Sequence, residues 1–189
     1  MDAKIIAVID AQGFIIENIF FPREFSFVCD DFYVCYEVIP EWTDEEKSTN
    51  INQLLNQKHR LHGISYLGQV VDEDTKRAIN QNLLSQLICE LYWEVKRNDE
   101  SSIAIKNAYF LKFLESNNFP LFDLDINPIG GELCPALFIF DKFDTNKYCP
   151  LHSRTKLQIK HMCVQRKAYS IWLWLSYKIL SDKFYDTLY

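Results

Sequence analysis

The chain reads as an α/β domain built on a mixed sheet of about five strands, three antiparallel and then two parallel, flanked by helices. Three observations predict it. The first forty residues hold apolar runs rich in aromatic and β-branched side chains, separated by turn residues. A long stretch of helical apolar spacing follows, and then two short strand-like segments with a helical segment between them lead into a last helical run.

Residues 4–10 (KIIAVID) form a continuous apolar run and predict a buried strand, and residues 20–29 and 32–40 predict two more. Gln12-Gly13 and Asp30-Asp31 stand where hairpin connections would join them, so the three strands are expected to run antiparallel. Thr43-Asp44-Glu45-Glu46 fits a capping box, and Ile51, Leu54 and Leu55 give residues up to about 61 a helical face. A longer helix is predicted over residues 73–96, through Ile79, Leu83, Leu84, Leu87, Ile88, Leu91 and Tyr92. Residues 102–105 then predict a strand, 108–116 a helix and 121–126 another strand. Strands separated by a helix are expected to be parallel. The final helix is predicted over residues 160–181, through Tyr169, Ile171, Trp172, Leu175, Ile179 and Leu180. Together this is the element order of an RNase H-like fold.

With 189 residues, 48% of them hydrophobic, the chain has material for one sizeable core, and a single domain over residues 1–189 is expected. Five glycines, six prolines and no low-complexity tract leave nothing that reads as a linker. The first apolar run is too short for a signal peptide and no stretch has the length of a membrane span, so an intracellular protein, cytoplasmic or nuclear, is expected. In that setting the six cysteines are expected to be reduced or metal-bound. A formal net charge of −6 argues against a generally basic nucleic-acid coat. Basic residues concentrate locally at Lys156, Lys160, His161, Arg166 and Lys167, and at Lys58, His59, Arg60 and His62. Such clusters are solvated surface or the wall of a groove for a single nucleic-acid strand, with Lys156, Lys160, Arg166 and Lys167 as its candidate contacts.

Cys149-Pro150-Leu151-His152, then Cys163 at the start of the last helix, gathers three zinc-competent side chains. Glu24 is the candidate fourth ligand, with His161 as its rival. Four protein ligands would make a closed structural Zn²⁺ site with no open position for a reactive water. Buried cysteines and a surface histidine are the plainer reading of the same residues. Asp10 ends the first predicted strand and is the one candidate catalytic acid, with His59 or His62 as remote candidates for a general base. Asp123 and Asp125 alternate on a strand and are candidates to face Asp10, while Asp72, Glu73 and Asp74 read as helix N-terminal acids. The aromatic series Phe20, Phe21, Phe25, Phe27, Phe32, Tyr33 and Tyr36 is expected in the core, any exposed member being a surface for base stacking.

Ile6-Ala7-Val8-Ile9-Asp10-Ala11-Gln12-Gly13-Phe14 resembles the first motif of the DEDD 3′–5′ exonuclease superfamily, and Ile105-Lys106-Asn107-Ala108-Tyr109-Phe110-Leu111 resembles a later one. Gln12 and Leu111 stand where those motifs carry acids. Chemistry of that class relies on carboxylates that hold two divalent ions, so its loss is expected here. Cys149-Pro150-Leu151-His152, then Cys163-Val164-Gln165-Arg166-Lys167-Ala168-Tyr169, with Glu24 after Pro22, is similar to the Maelstrom domain, a branch of the same fold with a Glu-Cys-His-Cys zinc set. The resemblance implies a structural zinc on Glu24, Cys149, His152 and Cys163. Leu133-Cys134-Pro135-Ala136-Leu137 extends the likeness to uncharacterised arthropod and transposon-associated proteins.

The functional expectation is therefore a catalytically degenerate, zinc-holding module that binds single-stranded RNA or DNA or a protein partner, in a transposon or genome-defence setting. The alternatives are an RNase that keeps activity through Asp10 and other acids, and a pure protein-interaction scaffold.

Overall fold

A computed structural model of the chain describes residues 4–41, 78–136, 139 and 163–186. Its sheet contains β1 (Lys4–Ile16), β2 (Ile19–Cys29), β3 (Tyr33–Ile39), β4 (Ala78–Asn80), β5 (Ser101–Ile105) and β6 (Leu121–Asp123), in the order β4-β3-β2-β1-β5-β6. The first three strands pair antiparallel, whereas β4 runs parallel to β3, β5 to β1 and β6 to β5. The described helices are α1 (Gln81–Val95), α2 (Ala108–Phe113) and α3 (Val164–Asp186). The mixed α/β class holds, with six strands in place of about five.

The additional strand comes from the segment expected to begin the long helix. Ile79 fits the helical period, but residues 78–80 pair with Glu37, Val38 and Ile39, and α1 begins only at Gln81. From there Leu84, Ile88, Leu91 and Tyr92 recur at helical spacing and are buried. The Tyr92 hydroxyl donates to the Ser101 carbonyl at 3.0 Å and ties the end of α1 to β5.

The first hairpin also differs from expectation. β1 continues through Gln12-Gly13, and the turn falls at Glu17-Asn18, with φ of 48° and 65° and Ile16 facing Ile19. Two successive left-handed residues match the twist of a two-residue hairpin. Gly13 serves a different purpose: the β1–β2 register shifts between Gln12, opposite Glu24, and Gly13, opposite Pro22. Arg23 is thus the extra residue of a β-bulge, and a Cβ on Gly13 would fall on the Phe21 carbonyl. Pro22 is tolerated there because it lies beyond the stretch of β2 paired with β3.

The sheet separates two apolar layers. On one side α1 and α2 cover Ala7, Ile9, Ala11, Phe25, Phe27, Ile103 and Ile105, with Phe110 of α2 packed among aromatic rings of β2. On the other, α3 lays Ala168, Ile171, Trp172 and Leu175 over Val8, Val28 and Ala104. The aromatic series largely joins the core as expected, although Tyr33 is exposed. The predicted helix over residues 43–61 lies outside the described residues.

Candidate functional site

Strand alternation sends Asp10 and Gln12 of β1 to the same side as Val8, the side covered by α3. The register adds Glu24 opposite Gln12, Ser26 opposite Asp10, Cys35 opposite Ser26 and Glu37 opposite Glu24. The first turn of α3 closes over this face. All of these side chains are buried, so a polar stripe lies inside a helix–sheet interface that is otherwise apolar.

Asp10 is the best-held member. Lys167 Nζ lies 2.6 Å from its Oδ2, and both side chains are out of solvent. The Ala11 amide donates to Oδ1 at 2.9 Å, and the Asn107 side-chain amide reaches the same oxygen at 3.3 Å. Asn107 also donates to the Ala11 carbonyl at 2.8 Å while its own oxygen caps α2 by accepting from the Phe110 amide at 3.1 Å. One residue thereby ties the middle of β1 to the start of α2. A cation recruited by Asp10 would have to displace the Lys167 ammonium.

Beside it the bulge aims Arg23 inward, where its guanidinium donates to Glu37 Oε1 at 2.9 Å and to the Val38 carbonyl at 2.8 Å. Burial pushes the guanidinium pKa down, and attraction to Glu37 and, more weakly, Glu24 opposes that shift. Gln12 Oε1 and both polar atoms of the Gln165 amide are buried without a hydrogen-bond partner.

Of the expected zinc ligands, Glu24 and Cys163 are buried on this face, Cys163 immediately before α3. Cys149, His152 and the rival His161 lie outside the described residues, as do Lys156, Lys160, His59, His62, Asp72, Glu73 and Asp74. Among the described residues, no three His, Cys, Asp or Glu side chains converge so as to hold a metal ion. Leu111 packs against the α1–α2 core.

Asp123 and Asp125, candidates to face Asp10 although solvent-facing acids at a strand edge are the commoner case, do not approach it. The ladder sets Asp123 beside Ile105 and Ile105 beside Ile9, on the opposite face from Asp10. β6 ends at Asp123, and Asp125 beyond it pairs with Lys106 at 2.6 Å. Of the basic residues near α3, Arg166 is half-buried at the surface, whereas the Lys167 charge is committed to Asp10. Sequence reasoning missed that pairing, the Arg23–Glu37 bridge and the presence of Cys35. Only the doublet Arg166-Lys167 ahead of an apolar run hinted at the first of these.

No family model, curated protein or solved structure matches this chain. No described helix is long and apolar enough to cross a membrane.

Proposed function

We propose that the chain is a catalytically degenerate RNase H-like domain, akin to the DEDD exonucleases and the Maelstrom domain, that binds single-stranded nucleic acid. The observation that carries this reading is the buried 2.6 Å contact between Lys167 and Asp10. Two-metal hydrolysis needs several carboxylates around its ions. Here the acid in the middle of β1 is neutralised by an ammonium, and Gln12 and Leu111 supply no charge. The order β3-β2-β1-β5-β6, antiparallel through β1 and parallel after it, supports the fold assignment.

Tyr109 supports a binding role: it is exposed on α2, two residues from Asn107, and offers a ring for base stacking at the rim of the Asp10 region. The zinc reading belongs to the same proposal, with Glu24, Cys149, His152 and Cys163 as its set. Glu24 on β2 and Cys163 just before α3 are both buried, and zinc when bound would cross-link the sheet to α3 as a closed structural ion. A transposon-control or genome-defence setting follows from the resemblance alone.

The test incubates the full chain with labelled single-stranded RNA, with and without Mg²⁺ or Mn²⁺. Binding without cleavage, weakened in Tyr109→Ala, is expected. Cleavage that disappears in Asp10→Ala would establish an RNase instead. Absence of binding even at low salt would leave a protein-interaction scaffold.

A further inference from the structure

The geometry points to an intramolecular isopeptide bond between Lys167 Nζ and Asp10 Cγ, which the chain forms on itself and which fastens α3 to β1. The bond is independent of nucleic-acid binding, whose absence would leave it untouched. An amine and a carboxyl condense when they are held together out of water and the carbonyl oxygen is polarised. Nζ lies 2.6 Å from Oδ2, and Cγ is one bond of about 1.2 Å further on, so the nitrogen is within about 3.9 Å of the carbon it attacks. A near-attack geometry needs about 3–3.5 Å. Oδ2 accepts no hydrogen bond, so charge and packing hold the nitrogen beside it. The other oxygen is differently placed. Oδ1 accepts from the Ala11 amide at 2.9 Å and from the Asn107 side-chain amide at 3.3 Å, two donors set where an oxyanion develops. Asn107 is itself fixed by its bonds to the Ala11 carbonyl and the Phe110 amide, so that donor is pre-organised. Both reacting side chains are buried between β1 and α3. Low dielectric penalises charge, so moving a proton from an ammonium to a carboxylate costs less in such a place than in water.

Glu24 is the proton carrier. The β1–β2 register sets it opposite Gln12, diagonal to Asp10 on the same buried face. It relays one proton from the Lys167 ammonium to Oδ2, leaving a neutral amine and a carboxylic acid. The nitrogen lone pair then attacks Cγ, and the negative charge that collects on Oδ1 is met by the Ala11 and Asn107 donors. A second proton passes from the nitrogen through Glu24 to the Oδ2 hydroxyl, the Cγ–Oδ2 bond breaks, and one water leaves. The new C–N bond replaces the ion pair with no change in net charge. No oxidant or co-reactant is consumed, and Asp10 ceases to be a carboxylate.

The experiment takes the intact mass of the denatured full chain, at purification and after incubation of the folded protein near neutral pH, and then digests it with protease. The expected result is a species lighter by one water, with the peptides that contain Asp10 and Lys167 recovered as one linked pair. A wild-type chain that keeps its full mass at both times overturns the bond, whether or not any variant folds. Lys167→Arg keeps the cation but lacks the amine, so it should keep the full mass. A water loss that persists in Lys167→Arg belongs to cyclisation elsewhere and overturns the bond as well. Glu24→Gln should slow formation of the linked pair by at least about 100-fold, the lower range of general acid–base catalysis. An unchanged rate in that variant would overturn the proton-carrier role of Glu24.

Discussion

Asp10 Oδ1 accepts from the Ala11 amide and the Asn107 side chain, while Oδ2 accepts no hydrogen bond and is ion-paired with Lys167, so the buried charge is compensated by the Lys167 ammonium. Removing one partner of such a pair strands the other charge, which costs about 3–5 kcal/mol. Lys167→Met and Asp10→Leu are each expected to destabilise the chain on that scale, and the double variant to recover most of the loss. A coupling below about 0.5 kcal/mol in a denaturation double-mutant cycle would refute the pair. Cys134 gives a pH-dependent counterpart. Burial pushes its thiol up to about 12 from an ordinary 9.0, against a smaller opposing pull from Lys106. A thiol with a raised folded pKa favours the native state below the unfolded value, and that contribution is lost as pH rises from about 9 to 12. Cys134→Ala should therefore flatten the fall in stability over that interval, read from denaturation midpoints. Asp10 and the neutral Gln12 were legible in the sequence because a strand end and a motif mark them. Lys167 was not, because its partner is chosen by how α3 rests on the sheet.

At the scale of elements, the first three strands and the turn at Asp30-Asp31 were legible, whereas β4 and the first turn were not. Continuous apolar runs identify β1, β2 and β3, but Gly13 carries the same signal whether it turns the chain or admits a bulge. The helix predicted over residues 73–96 starts only at Gln81 for a related reason: Ile79 suits a helical stripe and a short strand equally, and pairing with β3 decides. Gly13→Ala tests the bulge. The added methyl collides with the Phe21 carbonyl, and overpacking of that kind costs about 1–3 kcal/mol. Loss of the bulge should also turn Arg23 away from Glu37, so Gly13→Ala and Glu37→Gln are expected to be non-additive. The hairpin makes the opposite prediction. Glu17 and Asn18 occupy left-handed conformations that cost most L-residues about 1–2 kcal/mol. Recasting the pair as Asn-Gly by Glu17→Asn with Asn18→Gly should raise the thermal midpoint, and a lowered midpoint would show that the turn is held by other contacts.

Across the whole molecule, the fold turns part of the basic charge inward. Among the described residues, Arg23, Lys96, Arg97, Lys106, Lys167 and Lys178 each face a carboxylate within 4 Å, two of those pairs being buried or nearly so. Among the described residues little positive charge is left uncommitted for a phosphate backbone, and the formal net charge of the full sequence is −6. Binding of a single strand would then depend on stacking and on a few local cations rather than on a broad basic field. Of the four basic residues the sequence assigns to such a contact, Lys156 and Lys160 lie outside the described residues, while Arg166 and Lys167 separate cleanly. Among the described residues Arg166 has no acidic partner; Lys167 is locked against Asp10. Salt titrations of single-stranded RNA binding read this directly, because each phosphate contact adds about 0.7 to the magnitude of the slope. Arg166→Gln should make the slope shallower by about that amount. Lys167→Gln, compared under conditions where circular dichroism shows a folded chain, should leave the slope unchanged while lowering stability. A slope reduced by Lys167→Gln and not by Arg166→Gln would mean that the Asp10 pair opens to release its lysine to the ligand. That outcome would also return a free carboxylate at Asp10 in the middle of β1, and with it the case for residual metal-dependent cleavage.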